Sequence, residues 1–352
     1  MKVGLLTSGG DCQGLNACLR GVSKTLYNMV PGIEIYGVEN GFYGLLLNEW
    51  RRMAQYEFSG ILRQGGTILG TSRTPKTLPG FEGRELSYDE QSDIMAANYE
   101  KAGFDALIIL GGDGTHKGAT LLAERGVNIV TMPKTIDNDL WGTDVTFGFD
   151  SAVEKATFVI DAIHTTAAAH GRVFIIELMG RDVGWIALHA GVAGGADVIL
   201  LPEIPYKLEK VLEVVDARNR AGKFFTIIAM AEGAVTEEEA RLSKAYIKKL
   251  PPTSMRLEVD LTANLEQDVR VAIPGHYQRG GDPTPTDRIL CSRMGAKAAE
   301  MVMNGEFGRM VALHGNSIGS VPLGEVAGKT KSVPLDHEVV HQARLLGVSF
   351  GD

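Results

Sequence analysis

Short runs of apolar residues alternate along the chain with longer amphipathic segments. The apolar runs have the length and continuity of buried strands, and they lie at Val3–Leu6, Ile33–Val38, Ala106–Leu110, Ile129–Met132, Val173–Met179, Val198–Leu201, Phe224–Ala231, Val269–Ile273 and Val311–Leu313. The amphipathic segments carry apolar residues at helical spacing, and they include Gly14–Met29, Glu90–Ala102, Gly118–Arg125, Ala152–Ala169 and Leu208–Ala221. This alternation predicts an α/β fold with mostly parallel sheets covered by helices.

Length and local composition indicate two lobes rather than one. The chain has 352 residues, of which 44% are hydrophobic, and domains usually contain roughly 100 to 200 residues. The clearest break in pattern is Pro251–Pro252, and the polar stretch Asp139–Thr146 suits a passage from one lobe to the other. Residues Val333–Leu346, near the end of the chain, are expected to form a helix.

Net charge and cysteine content disfavour several classes of partner and of cellular environment. The chain carries 35 Lys and Arg residues against 43 Asp and Glu residues, a net charge of -8, which disfavours a nucleic-acid partner. Its three cysteines lack paired spacing and are expected to be reduced thiols in the cytoplasm. The chain opens without a signal-peptide pattern, and its most apolar long stretch, Ala187–Leu201, is interrupted by polar residues, so no membrane association is expected.

Ligands of parallel α/β sheets sit beyond the carboxyl ends of the strands, so the loops after the apolar runs are the places to look for chemistry. The segment Gly111–Thr115 follows one such run and precedes a helical stretch. Its glycines would let backbone amides face a phosphate at a helix N-terminus, and Asp113 would hold magnesium. The alternative is a tight strand-to-helix turn.

A second loop, Thr135–Asp139, places two carboxylates and one amide side by side after another strand. Phosphoryl transfer needs a carboxylate that accepts or orients the proton of the acceptor hydroxyl, and a second one can position metal. An acidic turn that caps a helix is the alternative interpretation.

A third group of residues suits recognition of a phosphate dianion. His276 and Arg279 are three residues apart between glycines, and Arg270 lies six residues before His276. Arginine offers a forked set of donors that matches phosphate geometry, and histidine adds another donor. Arg172 and Arg181 lie near further strand ends. A solvated loop with incidental charges is the alternative.

Taken in order, these and related segments resemble the 6-phosphofructokinase family. The matching segments run from about Val3 to Gly319 and read GGDCQGLNA, GGTILGTSRTP, GGDGT, PKTIDND, MGRDVGW, AEG and GHYQRGGDPTPTDR. The resemblance implies two Rossmann-like lobes with the active site in the cleft between them, a homotetramer, and transfer of the γ-phosphoryl group of ATP to O1 of fructose 6-phosphate in glycolysis. The nucleotide lobe would comprise residues 1–140 and about 251–305, and the sugar-phosphate lobe about 141–250 and 306–352.

The resemblance also implies roles for individual residues. Asp137 would act as proton acceptor, with Arg181 and Gly114 as further catalytic positions, and Asp113 would hold Mg²⁺. ATP would be bound by Gly10, Arg73, Thr74, Gly112, Asp113, Gly114 and Thr115. Fructose 6-phosphate would be bound by Thr135, Ile136, Asp137, Arg172, Met179, Gly180, Arg181, Glu232, Arg270, His276, Tyr277, Gln278 and Arg279, with Arg172 and Arg270 reaching in from a neighbouring subunit.

Departures from the family pattern bear on the identity of the phosphoryl donor. Gln13 and Lys134 stand where bacterial ATP-using members usually have proline and glycine, and a lysine at position 134 resembles the pyrophosphate-using branch. Gly114 indicates ATP, because the pyrophosphate branch usually has an aspartate there. This combination resembles the mixed-substrate subgroup of the family, which uses ATP. The alternatives are a pyrophosphate-dependent enzyme and, from a different class, a catalytically silent sugar-phosphate sensor. Arg20 and Lys223 match basic effector ligands of the family, whereas Lys24 and His164 do not.

Overall fold

The computed structural model describes residues 1–72 and 85–352. The chain forms two units, each assembled from separate stretches of sequence. Unit 1 comprises Met1–Ile136, Leu140–Asp150 and Arg279–Thr330, and unit 2 comprises Asp137–Asp139, Ser151–Gln278 and Lys331–Asp352.

Unit 1 is built on a seven-stranded sheet. Its strands are β1 (Lys2–Thr7), β2 (Glu34–Val38), β3 (Trp50–Met53), β4 (Ala106–Gly111), β5 (Ile129–Pro133), β10 (Arg309–His314) and β11 (Ser317–Pro322). The strand order is β11-β10-β5-β4-β1-β2-β3. The pairs β2–β3 and β10–β11 at the two edges are antiparallel, and the pairs between them are parallel.

Helices of unit 1 pack against this sheet. They are α1 (Leu15–Met29), α2 (Phe42–Leu47), α3 (Tyr88–Ala102), α4 (Asp113–Glu124), α10 (Pro285–Asn304) and α11 (Leu323–Val326). Local sequence signals fix several of their ends. The Ser87 hydroxyl accepts a hydrogen bond from the Glu90 amide while the Glu90 carboxylate accepts one from the Ser87 amide, a capping box that starts α3. Thr284 caps α10 in front of Pro285.

Unit 2 is built on a smaller sheet that is parallel throughout. Its strands are β6 (Val173–Leu178), β7 (Val198–Leu200), β8 (Thr226–Ala231) and β9 (Val269–Ala272), in the order β7-β8-β6-β9. Its helices are α5 (Phe149–His170), which begins in unit 1, α6 (Trp185–Ala193), α7 (Leu208–Arg220), α8 (Lys244–Ile247), α9 (Thr253–Asn264) and α12 (Glu338–Leu345). The mostly parallel α/β architecture expected from the sequence is confirmed in both units.

The boundaries between the units differ from those expected. Residues 251–278 lie in unit 2, because β9 pairs with β6 and α9 packs beneath these two strands. Residues 306–330 lie in unit 1, because β10 pairs with both β5 and β11. Strand pairing at a distance, which the local pattern does not reveal, decides both assignments.

Two strands and several helices escaped the sequence pattern. Strands β3 and β11 lie at sheet edges and are only partly buried, so they lack a continuous apolar run. The helix expected over Val333–Leu346 is limited to Glu338–Leu345, because Val333 donates its amide hydrogen to the Glu203 carboxylate and Pro334 follows it. Within residues 1–72 and 85–352, no helix has both the length and the apolar character needed to cross a membrane.

Helices α1 and α10 approach each other closely at Gly295. A Cβ atom at this position would lie 2.7 Å from the Val22 nitrogen and 2.8 Å from the Cys18 oxygen, both backbone atoms. We therefore expect Gly295→Ala to force the helices apart and to lower the free energy of unfolding by about 1–3 kcal/mol, measured by urea denaturation. Gly324→Ala in α11 meets open space and is the matched control. Equal stability of the two variants would contradict this account of the helix contact.

Candidate active site

Three loops of unit 1 meet at one edge of its sheet. Strands β4, β1 and β5 are parallel neighbours, with β4 in the centre, so their carboxyl ends lie side by side. Gly10 follows β1, Gly112–Thr115 follow β4, and Lys134–Ile136 follow β5. Among the described residues of unit 1, the structure therefore brings together those predicted to bind the nucleotide and those that begin the loop predicted to bind the sugar. Arg73 and Thr74 lie outside the described residues.

Two cationic side chains flank the loop after β1. Lys134 is only 4% exposed, and its ammonium donates a hydrogen bond to the Gly10 carbonyl. The Arg279 guanidinium donates to the Asp11 carbonyl at 2.8 Å, and a Cβ atom on Gly10 would lie 3.1 Å from its Nη1. A glycine at position 10 therefore leaves room beside a guanidinium, which favours binding of an anion there.

Helix α4 begins at the glycine-rich loop. Gly112 is its N-cap, and the Thr115 amide donates to the Gly112 carbonyl at 3.0 Å, which leaves the Asp113 and Gly114 amides for a phosphate at the positive end of the helix dipole. The Asp113 carboxylate accepts from the Lys117 ammonium at 2.7 Å and from the Gly328 amide at 3.1 Å. No group of three metal-ligating side chains occurs in the part of the chain that the structure describes. A single carboxylate still fits magnesium, which binds mainly to water and substrate phosphates, and Lys117 is exposed enough to be displaced.

His116 is buried beneath the same loop. Its Nδ1 lies 2.8 Å from the Gly112 carbonyl, so this nitrogen carries the hydrogen and donates it. Its Nε2 has no hydrogen-bond partner within residues 1–72 and 85–352. Burial lowers the pKa of His116 to about 4, so the imidazole is neutral near pH 7 and holds the start of α4 without adding charge.

Unit 2 presents its own loops in the same way. Strand β6 lies between β8 and β9. The carboxyl end of β6 leads to Met179–Arg181, that of β8 leads to Glu232, and that of β9 leads to His276. Arg181 has a φ of 58°, a left-handed conformation that is strained for this residue. Its amide donates to a Glu232 carboxylate oxygen at 2.7 Å. A Cβ atom on Gly233 would lie 2.4 Å from the Arg181 carbonyl, so only glycine fits beneath this loop.

Gln278 supports the loops of unit 2 from inside. Its side chain is buried, and its Oε1 accepts from the Met179 amide at 3.2 Å while its Nε2 donates to the Gly275 carbonyl at 3.1 Å. The family resemblance predicts that Gln278 binds the sugar phosphate directly. In the structure Gln278 is buried and its side chain holds the Met179 loop, whereas His276 and Tyr277 beside it are exposed.

The loop Asp137–Asp139 belongs to unit 2 and is mostly buried. Asp137 is 8% exposed and Asn138 is 3% exposed, with a φ of 52° at Asn138. Thr135 and Ile136 are also buried. Ile136 is 0% exposed and therefore packs in the protein interior.

Arg172 and Arg270 lie at the other edge of the unit 2 sheet. Arg172 precedes β6, whereas Met179 follows it, and Arg270 is the second residue of β9. At about 3.3 Å per residue, the length of β6 separates Arg172 from the Met179 loop by roughly 20 Å. Both guanidiniums contact the Asp268 carboxylate, at 3.4 Å and 3.0 Å. Within one chain, these two arginines therefore do not join the other expected sugar-phosphate ligands of unit 2.

Comparisons with known proteins give the same family as the motifs. The family model described as Phosphofructokinase matches residues 2–302. A protein of Spirochaeta thermophila described as "ATP-dependent 6-phosphofructokinase" is 47% identical and covers 99% of this chain and 97% of its own length. This chain belongs to the phosphofructokinase family. A protein of Bacteroides thetaiotaomicron, "ATP-dependent 6-phosphofructokinase 3", is also 47% identical over the full length of both chains.

Solved structures of phosphofructokinases share the fold. The Saccharomyces cerevisiae phosphofructokinase has a TM-score of 0.79 and 32% identity over 92% of this chain, which spans 45% of the yeast chain. A pyrophosphate-dependent phosphofructokinase of Nitrosospira multiformis has a TM-score of 0.82 at 21% identity, over 96% of this chain and 87% of its own. At 21% identity, the similarity to the Nitrosospira multiformis protein shows only that the fold is shared.

Sequence reasoning misses a structural role of Lys134. The motif indicates Lys134 only as a marker of donor choice, whereas in the structure its ammonium donates a hydrogen bond to the Gly10 carbonyl. Its place directly after the buried strand β5 was the available signal. Gln13, the other departure, is buried and donates a hydrogen bond to the Gly280 carbonyl at 2.8 Å, so it connects the first loop to the segment that follows Arg279.

Burial of neutral His116 predicts a pH dependence of stability. Its pKa is lowered from 6.5 to about 4 by burial, so the unfolded chain binds a proton that the folded chain does not. The stabilisation is complete above pH 6.5 and is lost as the pH falls towards 4, by roughly 3 kcal/mol in total.

The test is His116→Asn, whose side-chain amide can still donate to the Gly112 carbonyl but does not titrate. We expect the difference in free energy of unfolding between wild type and variant to shrink as the pH is lowered from 7 to 4.5, measured by urea denaturation. A difference that stays constant with pH would contradict the burial of a neutral imidazole.

Proposed function

We propose that this chain is an ATP-dependent 6-phosphofructokinase, which transfers the γ-phosphoryl group of ATP to O1 of fructose 6-phosphate in glycolysis. The observation that carries the proposal is the full-length similarity to proteins described by that activity, at 47% identity. The loops at the carboxyl edges of the two sheets supply the residue types that the reaction needs.

Unit 1 supplies the proposed donor site. The amides at the start of α4 and the Lys134 ammonium suit the phosphates of the nucleotide. We assign ATP to Gly10, Arg73, Thr74, Gly112, Asp113, Gly114 and Thr115. Asp113 would hold Mg²⁺, which offsets charge on the donor phosphates when bound. Lys117 would give up its ion pair with Asp113 on binding.

Unit 2 supplies most of the proposed acceptor site. Asp137 accepts the proton of the O1 hydroxyl as the oxygen attacks phosphorus, and Arg181 stabilises negative charge on the transferred group. Glu232 retains one carboxylate oxygen for a sugar hydroxyl while the other accepts from the Arg181 amide. Thr135, Ile136, Met179 and Gly180 offer backbone and small polar groups to the sugar, and His276, Tyr277 and Arg279 bind the 6-phosphate.

We further propose a homotetramer in the cytoplasm in which Arg172 and Arg270 complete the phosphate site of a neighbouring subunit. Their position supports this assignment, because each lies at the sheet edge opposite the other unit 2 ligands. The Asp268 carboxylate that both contact would orient the two guanidiniums towards one dianion.

A pyrophosphate donor is the second candidate function. The observation that favours it is the Lys134 ammonium beside the Gly10 loop, a compact cation suited to a small anion. Gly114 opposes it, since no atom of residues 1–72 and 85–352 lies within 4 Å of a Cβ atom there, and this space suits a nucleotide. A donor assay with equal concentrations of ATP and pyrophosphate distinguishes the two.

The role of Asp137 predicts the effect of its replacement. Asp137→Asn keeps the shape of this buried side chain but removes its basicity, so kcat is expected to fall by about 10² to 10⁴. The KM for fructose 6-phosphate should change little. Formation of fructose 1,6-bisphosphate is followed in an aldolase-coupled assay, with the exposed Asp161→Asn in α5 as control. Near-normal turnover by Asp137→Asn would remove Asp137 from the mechanism.

The open space at Gly114 predicts a second effect. Gly114→Ala and Gly114→Asp both fit the fold, but the carboxylate adds a like charge near the donor phosphates. At about 4 Å such charges repel by about 1–4 kcal/mol, so the KM for ATP is expected to rise tenfold or more in Gly114→Asp and far less in Gly114→Ala. Equal ATP kinetics of the two variants, or a wild type that prefers pyrophosphate, would refute the assignment of the donor site.

A further inference from the structure

Lys331 links the C-terminal segment to the two acceptor loops of unit 2. Its amide donates to the Asp139 carbonyl at 2.8 Å, and its ammonium donates to the Asn138 side-chain oxygen at 2.9 Å. Its carbonyl accepts from the Trp185 indole at 2.8 Å. The ammonium also lies 5.7 Å from the centroid of the Trp185 ring, within the range of a cation–π interaction.

These contacts fall on residues that directly adjoin the proposed chemistry. Asn138 and Asp139 follow Asp137, and Trp185 follows the loop Met179–Gly184 that carries Arg181. The backbone at Asn138 is left-handed, with a φ of 52°, a conformation that asparagine adopts more readily than most other residues. The ammonium of Lys331 donates a hydrogen bond to the side chain of Asn138.

A second contact fixes the same stretch of the C-terminal segment. The Glu203 carboxylate accepts from the Val333 amide at 2.9 Å and from the Gly184 amide at 3.1 Å. Lys331 and Val333 are therefore both bound to the region next to Trp185. Because its backbone is held in this way, the Lys331 side chain can act as a fixed support and not as a mobile surface lysine.

We propose that Lys331 is a positioning residue for phosphoryl transfer, which holds Asn138 so that the Asp137 carboxylate points at the O1 hydroxyl. This inference rests on the proposed function. Its physical basis is that a small displacement of a catalytic group, of about 1 Å, lowers the rate by roughly 10²-fold. The C-terminal residues thereby contribute to the geometry of a loop nearly two hundred positions earlier in the chain.

The central experiment compares Lys331→Met with Lys329→Met. Methionine keeps an unbranched side chain and the backbone contacts of Lys331 but removes the ammonium. Lys329 is exposed, and no side-chain contact of it occurs among the described residues, so it is a matched control. We expect kcat of Lys331→Met to fall by about 10- to 10²-fold, with the KM values for fructose 6-phosphate and ATP nearly unchanged and with Lys329→Met like wild type.

Chemical rescue separates positioning by the ammonium from general support of the fold. In Lys331→Cys, alkylation of the introduced thiol with 2-bromoethylamine displaces bromide and restores an ammonium at almost the original distance. Cys12, Cys18 and Cys291 are all 0% exposed, so the reagent is directed to the new site. We expect the treatment to restore most of kcat, whereas alkylation with iodoacetamide, which adds no cation, should not.

A double-mutant cycle tests the route through Asn138. Asn138→Gly permits the left-handed backbone but removes the acceptor of the lysine hydrogen bond. If Lys331 acts through this side chain, adding Lys331→Met to Asn138→Gly should cause little further loss of kcat. Fully additive losses would overturn the route through Asn138.

The remaining outcomes are distinct from one another. A rise in the KM for fructose 6-phosphate at constant kcat would make Lys331 a binding residue and overturn the positioning role. Activity of Lys331→Met equal to that of Lys329→Met, in an active wild-type background, would also overturn it. A wild type that forms no fructose 1,6-bisphosphate from ATP would instead refute the proposed function on which the inference rests.

Discussion

The candidate site depends on hydrogen bonds that pass from one loop to another at the carboxyl edges of the sheets. These loops belong to neither a sheet ladder nor a helix, so their shape also depends on contacts with neighbouring loops. In unit 1 the Lys134 ammonium holds the Gly10 carbonyl, and in unit 2 the Gln278 amide group holds the Met179 amide. Each of these donors or acceptors comes from the loop of a different strand, so the parallel order of the strands is what makes the contacts possible.

The same arrangement allows strained backbone near the proposed chemistry. Arg181 and Asn138 both have positive φ angles, which are unfavourable for arginine and less so for asparagine. Each is bound by a charged partner: the amide of Arg181 donates to the Glu232 carboxylate, and the side chain of Asn138 accepts from Lys331. Charge-assisted hydrogen bonds are about twice as strong as neutral ones, so a single such contact can offset much of the strain. A loop held in this way is ordered before the substrate arrives.

Sequence reasoning succeeded where the signal is local. The buried strands β1, β4, β5, β6 and β8 are continuous apolar runs, and the loops after them carry the motifs that identify the family. It failed where the deciding contact joins distant residues. The membership of residues 251–278 in unit 2 follows from the pairing of β9 with β6, and the supporting role of Gln278 follows from its burial. Neither feature is visible in the composition of the segment itself.

Lys134 illustrates how structure changes the meaning of a residue that the sequence had already singled out. As a motif letter it separates two donor classes, and by itself it argues for pyrophosphate. In the structure it is 4% exposed and is hydrogen-bonded to a backbone carbonyl. Removing an ammonium from water is costly unless it gains such partners, and this contact supplies one without any ligand. A lysine at this position therefore has a structural reason to be present in an ATP-using enzyme, because it also fixes the loop that Gly10 contributes to the donor site. We therefore expect the space at Gly114 to bear on donor choice more than this cation does, because the cation supports the phosphates of either donor whereas only a nucleotide needs that space.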